Sequence, residues 1–293
     1  MSELRDGIDA VGEDLPDGSG IPSNRHYDQD PRIFEAFLGT TLKYSAALFD
    51  EDTNDLDSAQ LHKLDFIAAS LQVCDGKRIL DIGCGWGSLV LFIAERYECE
   101  VVGVTPSPRQ AEYIRAATTK RQLKGRVRIA IGEFHEQATP VQSFDAISLV
   151  GSITHMPDKA GVIERCYRLC RPAGRVYLSE TCFRNAEKRR DFDRRPGTDF
   201  VLNRTFGWAE LIMLSDYVRF FEDAGFSLLA LSDLTKHYFK TIESWRANVI
   251  ANRAGLEELE CGSADELIRY FDVANAGWGF STKQYALLAA RSR

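Results

Sequence analysis

The run Ile79-Leu80-Asp81-Ile82-Gly83-Cys84-Gly85-Trp86-Gly87 joins an apolar strand ending in an acid to three glycines at alternate positions, and the apolar helix SLVLFIAER follows. Glycines there let the backbone bend sharply and approach a ligand with no Cβ in the way. The turn therefore makes room for a bulky cofactor beside a carboxylate. Its G-x-G-x-G spacing differs from the G-x-G-x-x-G of a dinucleotide turn, and the sequence contains no G-x-x-x-x-G-K-[ST] phosphate loop. Glu180 and His155 are acid–base candidates. The aromatic residues Tyr44, Phe206, Trp208, Tyr238, Trp278 and Phe280 could face a cationic centre or fill a core. Six cations, Arg184, Lys188, Arg189, Arg190, Arg194 and Arg195, fall within twelve residues, with Glu187, Asp191 and Asp193 interleaved. Such a cluster either clamps a phosphate, diphosphate or carboxylate through charge-assisted bonds, or is a solvated face.

These residues have to be positioned by regular elements. Short β-branched runs at 77–82, 100–105, 126–131, 144–150, 174–181, 226–233 and 284–291 read as seven strands. Helical periodicity fits 88–97, 107–123, 159–170, 208–224, 242–253 and 264–275. Strand then helix, repeated, implies an α/β fold whose mostly parallel sheet is covered on both faces, because parallel connections must cross over. Residues 23–71 and 182–212 stand outside the alternation and join the sheet near the carboxyl ends of its strands, the usual ligand side, so they are expected to roof the pocket as a substrate lid. Residues 1–22, rich in Gly, Pro, Asp and Glu, read as a flexible tail, which leaves 23–293 as one domain.

An acid followed by G-x-G-x-G in a βαβ setting resembles the S-adenosylmethionine (SAM) site of class I methyltransferases, a Rossmann-like fold. The resemblance implies that Asp81, Gly83 and Gly85 cradle the amino-acid end of SAM. At the end of the second strand, where many class I methyltransferases place a ribose-binding acid, this sequence has Thr105-Pro106-Ser107-Pro108-Arg109-Gln110. With Tyr27-Asp28, residues 34–39 and Tyr44-Ser45 upstream, T-x-S-x-x-Q resembles the cyclopropane-fatty-acid synthase and mycolic-acid methyltransferase family. The later HYFKTIESWRANVIANR, 237–253, is similar to the family's H-Y-x-x-T-x-x-x-W helix. The resemblance, over about 25–290, implies that Tyr44 and Ser45 close over SAM, that Thr105 and Gln110 meet its ribose, and that Glu133 and Phe134 contact adenine.

The sequence also departs from the family, whose cyclopropane synthases bind bicarbonate as a base through a Cys in Y-S-C-A-Y-F, a Glu in an E-H pair and a late Tyr. Here the matching positions read Ala46, Thr154 and Phe280. An anion in a dry pocket without those partners would be left unpaired, which argues against bicarbonate-assisted ring closure. Methyl transfer remains, with in-line positioning of a nucleophile and removal of a surplus proton as the protein's tasks. Strand alternation puts Val176, Leu178 and Glu180 on one face, so Glu180 is either a base with a pKa raised by burial or the partner of an arginine in a salt bridge. His155 is a second catalytic candidate or a loop residue, and Tyr44 a third. Arg184, Arg189, Arg190, Trp208, Tyr238 and Phe280 are the expected substrate contacts, a basic rim above an apolar tail that suits a prenyl diphosphate or acyl thioester.

Composition agrees with a small-molecule enzyme. The 293 residues carry 36 Lys and Arg against 43 Asp and Glu, a net charge of −7, which disfavours a nucleic-acid partner. Apolar runs fall far short of the roughly 20 residues that cross a bilayer. The acidic N-terminal stretch does not resemble a secretory signal, so a cytoplasmic location is expected. Seven cysteines lack paired C-x-x-C spacing and read as buried thiols, with no metal implied. The expected activity is SAM-dependent C-methylation of an alkene in a small isoprenoid or acyl substrate, without cyclopropane closure. N- or O-methylation of another small molecule and non-catalytic SAM binding are the rival readings, and the oligomeric state, a homo-oligomer included, is left open.

Overall fold

The computed structural model describes residues 28–292 apart from 52, 54, 138, 193, 195, 196, 198, 199 and 202–207. The stretch read as a tail, together with Tyr27, Asp193, Arg195 and Phe206, lies outside the described residues. Asp30 accepts the backbone N–H of Arg32 and Pro31 follows, so the first turn of α1 (Pro31–Leu38) is capped by local chemistry. Asp55 does the same for α2 (Leu56–Ser70). The alternation then runs β1 (Arg78–Ile82), α3 (Ser88–Arg96), β2 (Glu100–Thr105), α4 (Pro108–Lys120), β3 (Arg126–Ile131), β4 (Phe144–Val150), α5 (Lys159–Leu169) and β5 (Cys170–Phe183). After it come α6 (Ala186–Phe192), β6 (Ile212–Met213), α7 (Leu214–Asp223), β7 (Phe226–Asp233), α8 (Thr235–Ala251), α9 (Arg253–Leu259), α10 (Ser263–Gly277) and β8 (Thr282–Arg291).

The sheet runs β3-β2-β1-β4-β5-β8-β7, with the two-residue β6 beside β5. Strands β1 to β5 are parallel, and β8 is antiparallel to both β5 and β7. The chain moves outward from β1 through β2 to β3, then returns to the other side of β1 with β4. That reversal opens a crevice outside the carboxyl ends of β1 and β4, where open α/β sheets hold ligands. Two apolar clusters cover the sheet faces, one around Ile147 and Phe221, the other around Ile79 and Ile93. A third, with Phe37, Trp245 and Phe271 fully buried, packs α1 against α8 and α10 and makes a helical cap beside the crevice.

Two expectations on element bounds and one on the cysteines need correction. The helix read over 208–224 starts only at Leu214, because the Glu210 N–H goes to the Thr154 carbonyl and residues 212–213 pair with β5. The helix read over 242–253 starts at Thr235, whose N–H is accepted by Asp233 Oδ1 at 2.8 Å. The cysteines are all free, but Cys74 and Cys261 are exposed rather than buried. No helix among the described residues is long and apolar enough to cross a membrane, and no cluster of His, Cys, Asp and Glu among them could hold a metal.

Candidate active site

Two adjoining cavities open at the carboxyl ends of the strands. The first is lined by Asp81, Gly83, Gly85, Thr105, Gln110, Glu133, Phe134, Tyr44 and Ser45, so every residue expected to meet the cofactor shares one wall. Asp81 is buried at the end of β1, where its carboxylate accepts the Ser148 hydroxyl at 2.7 Å, and burial pushes its pKa up to about 6. Gly83 has φ 73° and a Cβ there would overlap Ser152, whose hydroxyl donates to the Ile82 carbonyl at 2.6 Å. Gly85 has φ 54° and a Cβ there would point into open space, so a side chain would intrude on the cradle. The spacing in T-x-S-x-x-Q has a local cause. Ser107 caps α4 by accepting the Gln110 N–H, and this turn brings Gln110 Oε1 to 2.6 Å from the Thr105 hydroxyl that donates to it.

This donor set fits SAM: a carboxylate, Asp81, at one end for an ammonium, hydroxyl and amide groups at Thr105 and Gln110 that could bind a diol, and Glu133 with Phe134 that could hold an aminated base. Glu133 is half-buried, with its pKa raised chiefly by desolvation.

The second cavity, about 1510 Å³ with its mouth against about 1070 Å³ for the first, meets it at Tyr44, Ser45, Gly151 and His155. Its walls are mainly apolar and aromatic, with Phe192, Leu211, Ile242, Tyr238, Tyr270 and Trp278 among them. Tyr238 packs against Trp278, with ring centroids 4.8 Å apart and the planes tilted by 42°. Glu180 also lines this cavity and is 3% exposed. Its two oxygens accept the backbone N–H groups of Thr181 at 2.8 Å and Thr154 at 3.3 Å. Burial dominates all the same and raises its pKa to about 7. Among the described residues Glu180 forms no ion pair; the nearby Lys159 instead bridges to Glu210 at 2.8 Å. His155 places Nδ1 3.0 Å from the Trp208 carbonyl, and since a carbonyl can only accept, the proton sits on Nδ1. Its pKa is lowered, chiefly by burial.

The remaining sequence candidates lie outside the cavities. Arg184, Arg189 and Arg190 are exposed, Arg184 donating to the Gly279 carbonyl at 3.0 Å, and none lines either cavity. They belong to the segment around α6, whose Phe192 does line the second cavity. Trp208 lies behind His155 with its ring 5.2 Å from Lys159 Nζ. Phe280 is 47% exposed, under Lys188. The late tyrosine that faces the cavity is Tyr270, in α10, which hydrogen-bonds Tyr44. Sequence reasoning also missed Lys43, a buried cation in the wall of the first cavity. A lysine directly before the Tyr44-Ser45 pair, the one charged residue in 38–49, was the available signal.

Comparison with known proteins agrees with this geometry. The family described as mycolic acid cyclopropane synthetase matches residues 20–284. A probable fatty acid methyltransferase of Pseudomonas putida is 29% identical over 228 residues, covering 76% of this chain. The match spans only 57% of that relative's own length. Cyclopropane mycolic acid synthase 3 of Mycobacterium tuberculosis is 29% identical over 240 residues, covering 78% of this chain and 81% of its own. The solved structure of mycolic acid cyclopropane synthase CmaA1 complexed with SAH and CTAB superposes with a TM-score of 0.82 at 22% identity, covering 94% of this chain and 99% of that one. The chain therefore belongs to the mycolic acid cyclopropane synthetase family and is a SAM-dependent methyltransferase of the class I fold.

Proposed function

We propose that the enzyme transfers a methyl group to a carbon of an alkene in a small isoprenoid or acyl substrate, and that Glu180 then takes up the surplus proton. The observation that carries this reading is the buried Glu180 carboxylate, with a pKa near 7, in an apolar and aromatic cavity that adjoins the cofactor cavity. Bound SAM supplies an electrophilic methyl group. Asp81, Thr105, Gln110, Glu133 and Phe134 hold the cofactor, and Tyr44 and Ser45 stand at the junction of the cavities. The alkene's π electrons would form the new C–C bond as the methyl–sulfur bond of the donor breaks, its electron pair returning to sulfur in the departing S-adenosylhomocysteine, which leaves a cationic carbon next to the new bond. Tyr44, Tyr238 and Trp278 present aromatic faces around the cavity that favour such charge. Loss of a proton from a neighbouring C–H to Glu180 regenerates a double bond and closes the balance of charge.

Ring closure would instead remove a proton from the newly added methyl group. Ala46 and Thr154, where the family's pattern has Cys and Glu, remove two of the groups that would hold a bicarbonate there, and this supports an open methylated product. The exposed cations near α6, on the helix whose Phe192 lines the second cavity, would suit an anionic head group. The likeness to the probable fatty acid methyltransferase of Pseudomonas putida supports an apolar acceptor. The test is incubation with SAM and pools of unsaturated acyl and prenyl substrates, followed by mass spectrometry and NMR of the product. A gain of one CH₂ on carbon is the expected result. Methyl on nitrogen or oxygen, or cyclopropyl proton signals, would overturn the reading.

A further inference from the structure

The cofactor cavity is lined by two carboxylates, Asp81 and Glu133, and by one lysine or arginine among the described residues, Lys43. SAM brings a zwitterionic methionyl end to such a wall. An acid can take its ammonium, but its carboxylate would then lie beside acids with no side-chain cation unless one is supplied. Lys43 is 1% exposed, and its Nζ donates to Ser45 Oγ at 2.6 Å and to the Ala46 carbonyl at 2.7 Å. An ammonium group has three N–H donors, so one remains beyond these two. We propose that Lys43 is a cofactor-binding residue that pairs with the carboxylate of the methionyl end of SAM while Asp81 takes the ammonium.

The electrostatic setting supports this pairing. Among the described residues, Asp81 at the end of β1 attracts the Lys43 charge and Lys63 on α2 is coupled to it repulsively. Burial brings the Lys43 amine down to about 7. Arrival of a ligand carboxylate favours the protonated amine, so binding above neutral pH takes up a proton and weakens as pH rises. The two hydrogen bonds also tie Lys43 to the Tyr44-Ser45-Ala46 turn, which links occupancy of the carboxylate position to the segment between the two cavities.

The test compares S-adenosylhomocysteine with its decarboxylated analogue, which keeps the nucleoside, thioether and amine, by calorimetry on the wild-type chain and on Lys43→Met. The expected result is a loss of about tenfold or more in affinity for S-adenosylhomocysteine in the variant, and less than about threefold for the analogue. Equal losses for both ligands, or no loss for either, would overturn the proposal. If Lys43→Met does not fold, the wild-type protein answers the same question between pH 6.5 and 8.5. Affinity for S-adenosylhomocysteine should fall by about tenfold more than that for the analogue over this range, and parallel pH dependences would overturn the pairing. A folded wild-type chain that binds neither ligand removes the cofactor assignment and this proposal together.

Discussion

Glu180 Oε2 accepts the backbone N–H of Thr154 at 3.3 Å, so a carboxylate carried by β5 lies directly against the position where the family's pattern places an acid. The relationship relocates negative charge rather than removing it. Thr154 itself is anchored elsewhere, its hydroxyl donating to the Glu210 carbonyl at 3.0 Å. The Lys159–Glu210 ion pair occupies the nearest cation, and Glu180 stays in an apolar setting in which it keeps a proton close to neutrality. A structural salt bridge to an arginine, the alternative role for Glu180, is not formed among the described residues.

Glu180→Gln is expected to spare cofactor binding and slow turnover by about a hundredfold or more, the usual contribution of a positioned base. Calorimetry with S-adenosylhomocysteine and steady-state rates check the two halves. Turnover within a few-fold of wild type would take Glu180 out of the mechanism.

The same substitution should change stability with a definite sign. Glu180 titrates near 7 in the folded chain against 4.5 ordinarily, so between those values the native state holds a proton that the unfolded chain has lost. Stability contributed by this group is full below about pH 4.5 and is lost as pH rises through 7. Glu180→Gln should therefore be more stable than wild type at pH 8, by an amount on the order of 2 kcal/mol. The difference should vanish near pH 4.5, as followed by thermal melts, and a variant less stable at pH 8 would contradict the buried, unpaired carboxylate.

The rate profile offers a separate check. If Glu180 must be ionised to accept a proton, kcat/KM rises with pH through a limb near 7. Thr154→Glu would set a second carboxylate against the first and shift that limb upward by about one unit or more, because like charges disfavour ionisation. An unshifted limb in this variant would mean that another group controls it.

Asp81→Ala should abolish measurable binding of SAM while leaving the fold intact. The buried carboxylate costs the free protein desolvation that Ser148 and Lys43 offset only in part, visible in its pKa of about 6, and a bound ammonium would offset the rest. Calorimetry paired with circular dichroism distinguishes lost affinity from lost structure.

The rim cations can be tested by head group. Replacing Arg189 and Arg190 together with Gln should raise KM by roughly tenfold for a chain with a diphosphate head and leave a neutral ester within about twofold. Equal effects on both substrates would assign these exposed arginines to the solvated surface.

Much of the cofactor site was legible from the order of residues. Asp81 and the glycines are contiguous, and Thr105 to Gln110 form one helix start, so chain connectivity alone holds them within a few ångströms of each other. The strands were legible for the same reason, since period-two runs of β-branched residues specify local geometry; β3, with Val127, Ile129 and Ile131 at alternate positions, begins and ends where the pattern places it. Helix starts were less so. Leu214 and Thr235 begin their helices where a backbone N–H finds a partner, at Asp216 and Asp233, and such competition between partners is not expressed in hydrophobic period.

The acceptor site was decided by tertiary structure. Tyr44, His155, Glu180, Tyr238 and Tyr270 come from distant parts of the chain and meet only because the sheet order and the helical cap bring them around one cavity. That Tyr270 and Trp278 line the cavity while Phe280 is exposed follows from the packing of α10 against α1 and α8. The sequence by itself therefore determined the fold class and the cofactor turn, where the decisive contacts are local. Burial of Glu180 and Lys43, and hence their proton affinities, arose only on folding, because desolvation depends on neighbours that are remote in the chain.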